Sequence, residues 1–128
     1  MKRLILAALL ASGASTSAMA EAVCQYGKGG VFEFVSWSFK MTADRGMEVS
    51  ITFHNKLDMD LSWYEMHVEV GDHMFGVRSD VPVKADGEAT AIDHMGMPQK
   101  DADMFAPLTP LLCAIGVTDG KGEHVSYY

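Results

Sequence analysis

The sequence has few basic residues and none of the short motifs that identify common catalytic sites. It contains 10 Lys and Arg residues against 17 Asp and Glu residues, which gives a net charge of −7 at pH 7. Because an acidic surface repels nucleic acid and anionic lipid, we expect neither as a partner. GxSxG, HExxH and glycine-rich phosphate-binding motifs are absent. We therefore expect no enzymatic activity and no cofactor.

Long apolar segments are also lacking. The apolar run Leu4–Ala11 has eight residues, whereas a transmembrane helix needs about 20. Two basic residues precede this run, and Ala18-Met19-Ala20 matches the small-residue pattern of a cleavage site. These features predict a signal peptide over residues 1–20, a single domain over residues 21–128, and a periplasmic or secreted protein. An ordinary N-terminal helix of the domain is the alternative.

Only two cysteines are present, Cys24 and Cys113, and both lie in the part of the chain predicted to be exported. In an oxidising compartment, an even number of cysteines favours an intramolecular disulfide. This bridge would close a loop of about 89 residues and contribute about 4–5 kcal/mol to stability. Two free thiols are the alternative, although neither cysteine belongs to a CxxC pair or adjoins a cationic cluster.

Alternation of apolar and polar residues dominates the centre of the sequence. The alternating apolar residues are Val49, Ile51 and Phe53 in one segment and Tyr64, Met66, Val68 and Val70 in the next. A period of two places such residues on one face of a half-buried strand. We therefore expect a strand–turn–strand unit that forms the nucleus of an antiparallel sheet.

The rest of the chain shows further short strands and no sustained helical period. Strands are expected over residues 31–40, 74–77, 81–83, 88–93, 111–117 and 123–128, and Pro82 places the 81–83 piece at a sheet edge. Residues 97–110 contain three prolines and are expected to form a long crossover loop. About seven short strands separated by turn signals predict an all-β fold, a single antiparallel β-sandwich.

Three segments resemble the small immunoglobulin-like or fibronectin-III-like modules of exported bacterial proteins. They are a strand ending in Phe53-His54-Asn55, a strand ending in Val68-Glu69-Val70-Gly71, and the turn Lys84-Ala85-Asp86-Gly87. The cysteine pair of antibody domains is not matched, because Cys24 precedes the first strand. The resemblance implies an immunoglobulin-like fold and a role in binding or scaffolding.

Methionine and histidine are unusually frequent and occur in two tight groups. After residue 20 the chain has eight methionines and five histidines, and the groups are His73-Met74 and His94-Met95-Gly96-Met97. Thioether and imidazole ligands suit copper, especially Cu(I). If consecutive strands alternate in direction, both groups lie at the same end of the sandwich. The alternative is that these methionines fill the core.

Two functions follow from these features. The first is a non-enzymatic binding or accessory module, whose candidate partner surface is formed by Trp63, Tyr64, Tyr127 and Tyr128. Tyr64 belongs to the alternating set and can equally be a core residue. The second is a periplasmic copper-binding protein that uses His73, Met74, His94, Met95 and Met97 as its metal ligands.

Overall fold

A computed structural model describes residues 23–127, so the predicted signal peptide and Tyr128 lie outside the described residues. The described chain contains seven strands and one helix, which are β1 (Phe32–Thr42), β2 (Gly46–Asn55), β3 (Leu61–Val70), β4 (His73–Ser79), β5 (Glu88–Met95), α1 (Gln99–Phe105), β6 (Leu111–Asp119) and β7 (His124–Ser126). The strands form two antiparallel sheets with the orders β1-β2-β5 and β4-β3-β6-β7. The predicted all-β architecture is confirmed.

The two central strands do not pair with each other, and the prediction that they nucleate one sheet is wrong. β2 pairs with β1 and β5, whereas β3 pairs with β4 and β6. The connection between them crosses from one sheet to the other. The predicted alternation of inward apolar and outward polar residues is correct, since the apolar faces of both strands point into the space between the sheets.

The core consists of these two inner faces and their neighbours. In β2 the side chains of Met47, Val49, Ile51 and Phe53 are fully buried, and in β3 the buried set is Leu61, Tyr64, Met66, Val68 and Val70. A register irregularity between Leu61 and Trp63 accounts for the three-residue step at the start of the β3 set. The phenyl rings of Phe32 and Phe53 contact the Tyr64 ring across the sandwich.

The expected crossover loop over residues 97–110 contains the helix α1, which corrects the prediction. Pro98 lies immediately before the helix and Pro107 follows it. Proline is tolerated at a helix start and breaks only the interior, so neither proline interrupts α1. Ala102 and Phe105, three residues apart on one face, are buried. In the described part of the chain, no helix has the length and apolar character needed to cross a membrane.

Residues 81–83 do not form a strand. They make a single bridge in which Val83 and Leu61 exchange two backbone hydrogen bonds of 2.8 and 3.1 Å. Pro82 has no N–H group, so pairing cannot extend through it. β4 therefore ends at Ser79, at the edge of its sheet.

The N-terminal segment, residues 23–30, is attached to β6 by a disulfide and by backbone pairing. The predicted Cys24–Cys113 bridge is present, with a Cα–Cα distance of 5.8 Å. Lys28 and Ala114 exchange two backbone hydrogen bonds of 2.8 and 2.9 Å. Gly27 has a φ of +84°, and a Cβ at this position would collide with the Ala114 carbonyl oxygen. Glycine is therefore required for this close approach.

Asn55, at the end of β2, fixes the two loops at that end of the sandwich. Its side chain is fully buried, and its amide nitrogen donates to the carbonyl oxygens of Met59 and Lys84, each at 3.1 Å. Its amide oxygen accepts the Leu57 N–H at 3.0 Å. One buried side chain thus satisfies three backbone groups of two different loops.

Removal of the disulfide is expected to lower stability by up to about 4–5 kcal/mol, because the unfolded chain regains the entropy of the open loop. The variant is Cys24→Ala/Cys113→Ala, measured by denaturant unfolding beside the oxidised wild-type protein. The wild-type protein under reducing conditions should match the variant. Equal unfolding midpoints for the variant and the oxidised wild type would contradict this account.

Substitution of Asn55 by alanine is expected to lower the free energy of unfolding by about 2–4 kcal/mol, since it removes three hydrogen bonds that each contribute about 0.5–1.5 kcal/mol. Ser62→Ala is the control, because the exposed Ser62 hydroxyl donates only to β6 carbonyl oxygens. It should cost less than about 0.5 kcal/mol. Similar losses in the two variants would show that Asn55 is not the anchor of these loops.

Candidate functional site

One end of the sandwich carries an open cleft of about 280 Å³. It lies where β4 begins, where β5 ends and beside α1. The lining combines imidazole, thioether, aromatic and carboxylate groups from His73, Met74, Phe75, Met95, Gly96, Met97, Pro98, Asp101 and Phe105. Four of the five residues predicted as copper ligands, all except His94, therefore line the same cleft.

Strand pairing directs Met95 into this end of the sandwich, and Met97 follows it two residues later. Met95, at the end of β5, lies opposite Met47 of β2, whose side chain is fully buried on the inner face. Met95 is half-buried, and Met97, just beyond the strand, is 9% exposed. Gly46, with a φ of +83°, passes close to the Met95 carbonyl oxygen, and a Cβ there would lie 2.7 Å from that atom. A tight turn between β1 and β2 therefore helps to position Met95.

His73 is held by an aromatic contact at the first position of β4. It lies opposite Val70, a buried residue, which places it on the inner face of its sheet. Its ring packs edge-on against Phe105 of α1, with 5.2 Å between the ring centres. The imidazole remains exposed to solvent, so its nitrogen atoms are accessible from the cleft.

A row of aromatic rings supports the cleft from inside the sandwich. Phe75 stacks on Phe105 at 5.9 Å and on Trp37 of β1 at 6.4 Å. The Trp37 indole N–H donates to the Ala106 carbonyl oxygen at 3.3 Å, which links β1 to the end of α1. The helix therefore contacts both sheets through Phe75 and Trp37.

His94 and Met74 lie differently from the other predicted ligands. His94 is opposite Glu48 on the outer face of its sheet, and its Nε2 is 3.5 Å from the Glu48 carboxylate. Met74 is opposite Glu69, also on an outer face, and it reaches only the rim of the cleft. Adjacent residues of a strand point to opposite faces, so His94 and Met95 cannot both face the cleft.

Asp101 and Phe105 are site residues that the sequence prediction missed. Both come from α1, which was expected to be loop. The available signal was the pair of apolar positions Ala102 and Phe105, three residues apart and bounded by prolines. The half-buried Asp101 contributes a carboxylate to the cleft, so a cation there would meet a negative charge beside the sulfur and imidazole groups.

Of the four aromatic residues predicted as a partner surface, the three that the structure describes do not form one exposed patch. Tyr64 is a core residue, which is the alternative that the sequence left open. Burial raises the pKa of its hydroxyl group. Trp63 is half-buried and packs against the His124 ring at 5.7 Å. Tyr127 is half-buried beneath the Lys28 ammonium group at 5.6 Å, and burial raises its pKa too. Tyr128 lies outside the described residues.

Two carboxylates at the opposite end of the sandwich stabilise the loops by accepting backbone hydrogen bonds. Asp60 accepts the Ala85 N–H at 2.9 Å, and Asp119 accepts the N–H groups of Glu123 and Lys121 at 2.9 and 2.8 Å. These backbone hydrogen bonds lower the pKa of both carboxyl groups. Both side chains therefore act as acceptors that hold the loops in place.

Comparison with known proteins yields no match: no family model fits the chain, and no curated protein or solved structure matches it significantly.

Proposed function

We propose that the chain is a non-enzymatic binding module of an extracytoplasmic compartment, built on an immunoglobulin-like sandwich. The strand order supports this fold, since β1-β2-β5 and β3-β6-β7 correspond to the A-B-E and C-F-G strands of immunoglobulin domains. The fourth strand differs from that of a constant domain, because it pairs with the third strand and not with the fifth. The Cys24–Cys113 disulfide is compatible with an oxidising compartment.

The ligand site of this module is the cleft at the His73 end. The main support for this proposal is that His73 and the Met95–Met97 segment, which are about 20 residues apart in the sequence, line the same open cleft. Ligand sites are usually clefts with a few convergent polar or metal-binding groups on a rigid, largely apolar wall. The aromatic row behind this cleft supplies such a wall.

Cu(I) is the ligand that this set of side chains favours. Thioether sulfur and imidazole nitrogen are soft or borderline donors, which prefer Cu(I) to hard divalent cations. Thioethers need no deprotonation, so proton competition affects them less than it affects thiolates. The Asp101 carboxylate adds a negative charge close to the bound cation. We therefore expect His73, Met95 and Met97 to be the ligands and Met74 to contribute only at the rim.

The binding role predicts that the purified protein does not turn over small molecules. A broad panel of ester, peptide, glycoside and phosphate substrates should show rates equal to those of buffer alone. Sustained turnover that co-purifies with the folded protein would overturn the non-enzymatic proposal. Because this assay needs no metal, its outcome is separate from that of the copper experiment.

Loss of a donor in the cleft is expected to weaken Cu(I) binding at least about tenfold, measured by competition with a colorimetric Cu(I) chelator under anaerobic conditions. The variants are Met95→Leu, Met97→Leu and His73→Phe. Leucine keeps the volume of methionine without its sulfur, and phenylalanine keeps the ring contact with Phe105. Each substitution therefore removes a ligand atom with little change in packing.

Two matched controls test whether the cleft itself binds the metal. His94→Ala removes an imidazole on the outer face, and Met104→Leu removes an exposed thioether of α1 that does not line the cleft. Both should retain wild-type affinity. Weak competition by the wild-type protein, or equal competition by all five variants, would eliminate the copper site and leave these methionines with a packing role.

A further inference from the structure

A second group of potential metal ligands surrounds the disulfide, on the outer face of the four-stranded sheet. The Sγ atoms of Cys24 and Cys113 and a carboxylate oxygen of Glu69 all lie within 4.8 Å of one another. Glu69 is oriented by the N-terminal segment, since its Oε2 accepts the Gln25 N–H at 2.7 Å. Two sulfur atoms and one oriented carboxylate therefore converge at a site that is distinct from the His–Met cleft.

His67 lies beside this group and has an unexplained nitrogen atom. It precedes Glu69 by two residues on the outer face of β3, and it is in register with Cys113 of β6. Its ring contacts Tyr26, which follows Cys24 by two residues, with 6.0 Å between the ring centres. Its Nδ1 is buried and has no hydrogen-bond partner among the described residues. Buried polar atoms usually have a hydrogen-bond partner, so this nitrogen is available as a metal ligand.

We propose that reduction of the Cys24–Cys113 disulfide creates a site for Zn²⁺ or a similar thiophilic divalent cation, with Cys24, Cys113 and Glu69 as ligands and His67 as the fourth. Two thiolates, a carboxylate and an imidazole are the ligand types that tetrahedral zinc takes in proteins. The disulfide form and the metal form exclude each other, so the same four residues constitute a redox-controlled metal site.

The sulfur atoms need to move only a short distance between the two forms. They are about 2.05 Å apart in a disulfide and would be about 3.8 Å apart on a tetrahedral ion with Zn–S bonds of about 2.3 Å. The backbone pairing between Lys28 and Ala114 does not depend on the bridge and keeps the N-terminal segment on β6 after reduction. The ligands are therefore kept close together when the bridge opens.

A phosphine serves as the reductant of the disulfide. The phosphine gives two electrons to the disulfide and becomes a phosphine oxide, while water supplies the oxygen atom of the oxide and the two protons of the new thiols. Binding of one Zn²⁺ then releases those two protons as the thiols become thiolates. Metal affinity in the reduced protein should accordingly rise with pH, because protons compete for both sulfur ligands.

The experiment titrates reduced protein with Co²⁺ and Zn²⁺ after anaerobic removal of the phosphine. Co²⁺ should bind with 1:1 stoichiometry and show the near-ultraviolet charge-transfer absorption of thiolate ligands, and Zn²⁺ should displace it. Zn²⁺ should also raise the melting temperature of the reduced protein, since it binds the folded form. The oxidised protein should show none of these effects.

Variants test the two ligands that are not cysteines. Glu69→Gln keeps an oxygen acceptor for the Gln25 N–H but loses the charge, and His67→Phe keeps a ring against Tyr26. Each should weaken Zn²⁺ binding at least about tenfold. Glu65→Gln, on the same face of β3, and His124→Phe are the controls and should bind like the wild type.

Three results would overturn the proposal. The first is the absence of 1:1 metal binding by the reduced wild-type protein. The second is equal affinity of the Glu69 and His67 variants and their controls, which would show adventitious binding by the thiols alone. The third result concerns folding, which is measured by circular dichroism. A reduced chain that stays unfolded with Zn²⁺ contradicts the site, whereas metal-induced folding supports it.

Discussion

Packing between the inner faces of β2 and β3 is the interaction on which the rest of the structure depends. The apolar side chains of these faces, from Met47 to Phe53 and from Leu61 to Val70, are almost completely buried. Burial of each large side chain stabilises the fold by about 1.5–3 kcal/mol. The summed stabilisation from these side chains is therefore larger than that of any single polar contact. A slip of one residue would turn either face outward. The packing therefore also sets the register of the strands paired with β2 and β3.

This register gives the two ends of the sandwich different properties. At the Asn55 end, buried hydrogen bonds hold the loops closed. At the Met47 end, the strands stop short of α1 and leave the cleft that contains His73 and Met95. The thioethers of the cleft are neutral and unbridged, whereas the sulfur atoms of Cys24 and Cys113 are joined in a disulfide. The chain thus carries sulfur in two chemically different settings.

Local patterns in the sequence predicted most of the strands and the inner residues of β2 and β3. Alternation such as Tyr64–Val70 depends only on the period of an extended chain, so it is readable without knowledge of the neighbouring strand. The Cys24–Cys113 bridge was also predictable, because two cysteines in a chain with a predicted signal peptide allow one intramolecular pairing. The grouping of His73 with Met95 and Met97 followed from counting strand directions, which the crossover between sheets leaves unchanged.

Only the tertiary structure decided which strand pairs with which, since a hairpin and a crossover satisfy the same alternation. The pairing of β5 with β2 turns Met95 inward and His94 outward, and the two residues alone do not specify which of them faces the core. The seven-residue helix α1 is too short to be stable in isolation and depends on the burial of Phe105 against His73 and Phe75. These contacts join segments that are distant in the chain, and local sequence cannot encode them because their energy exists only after the sheets have packed.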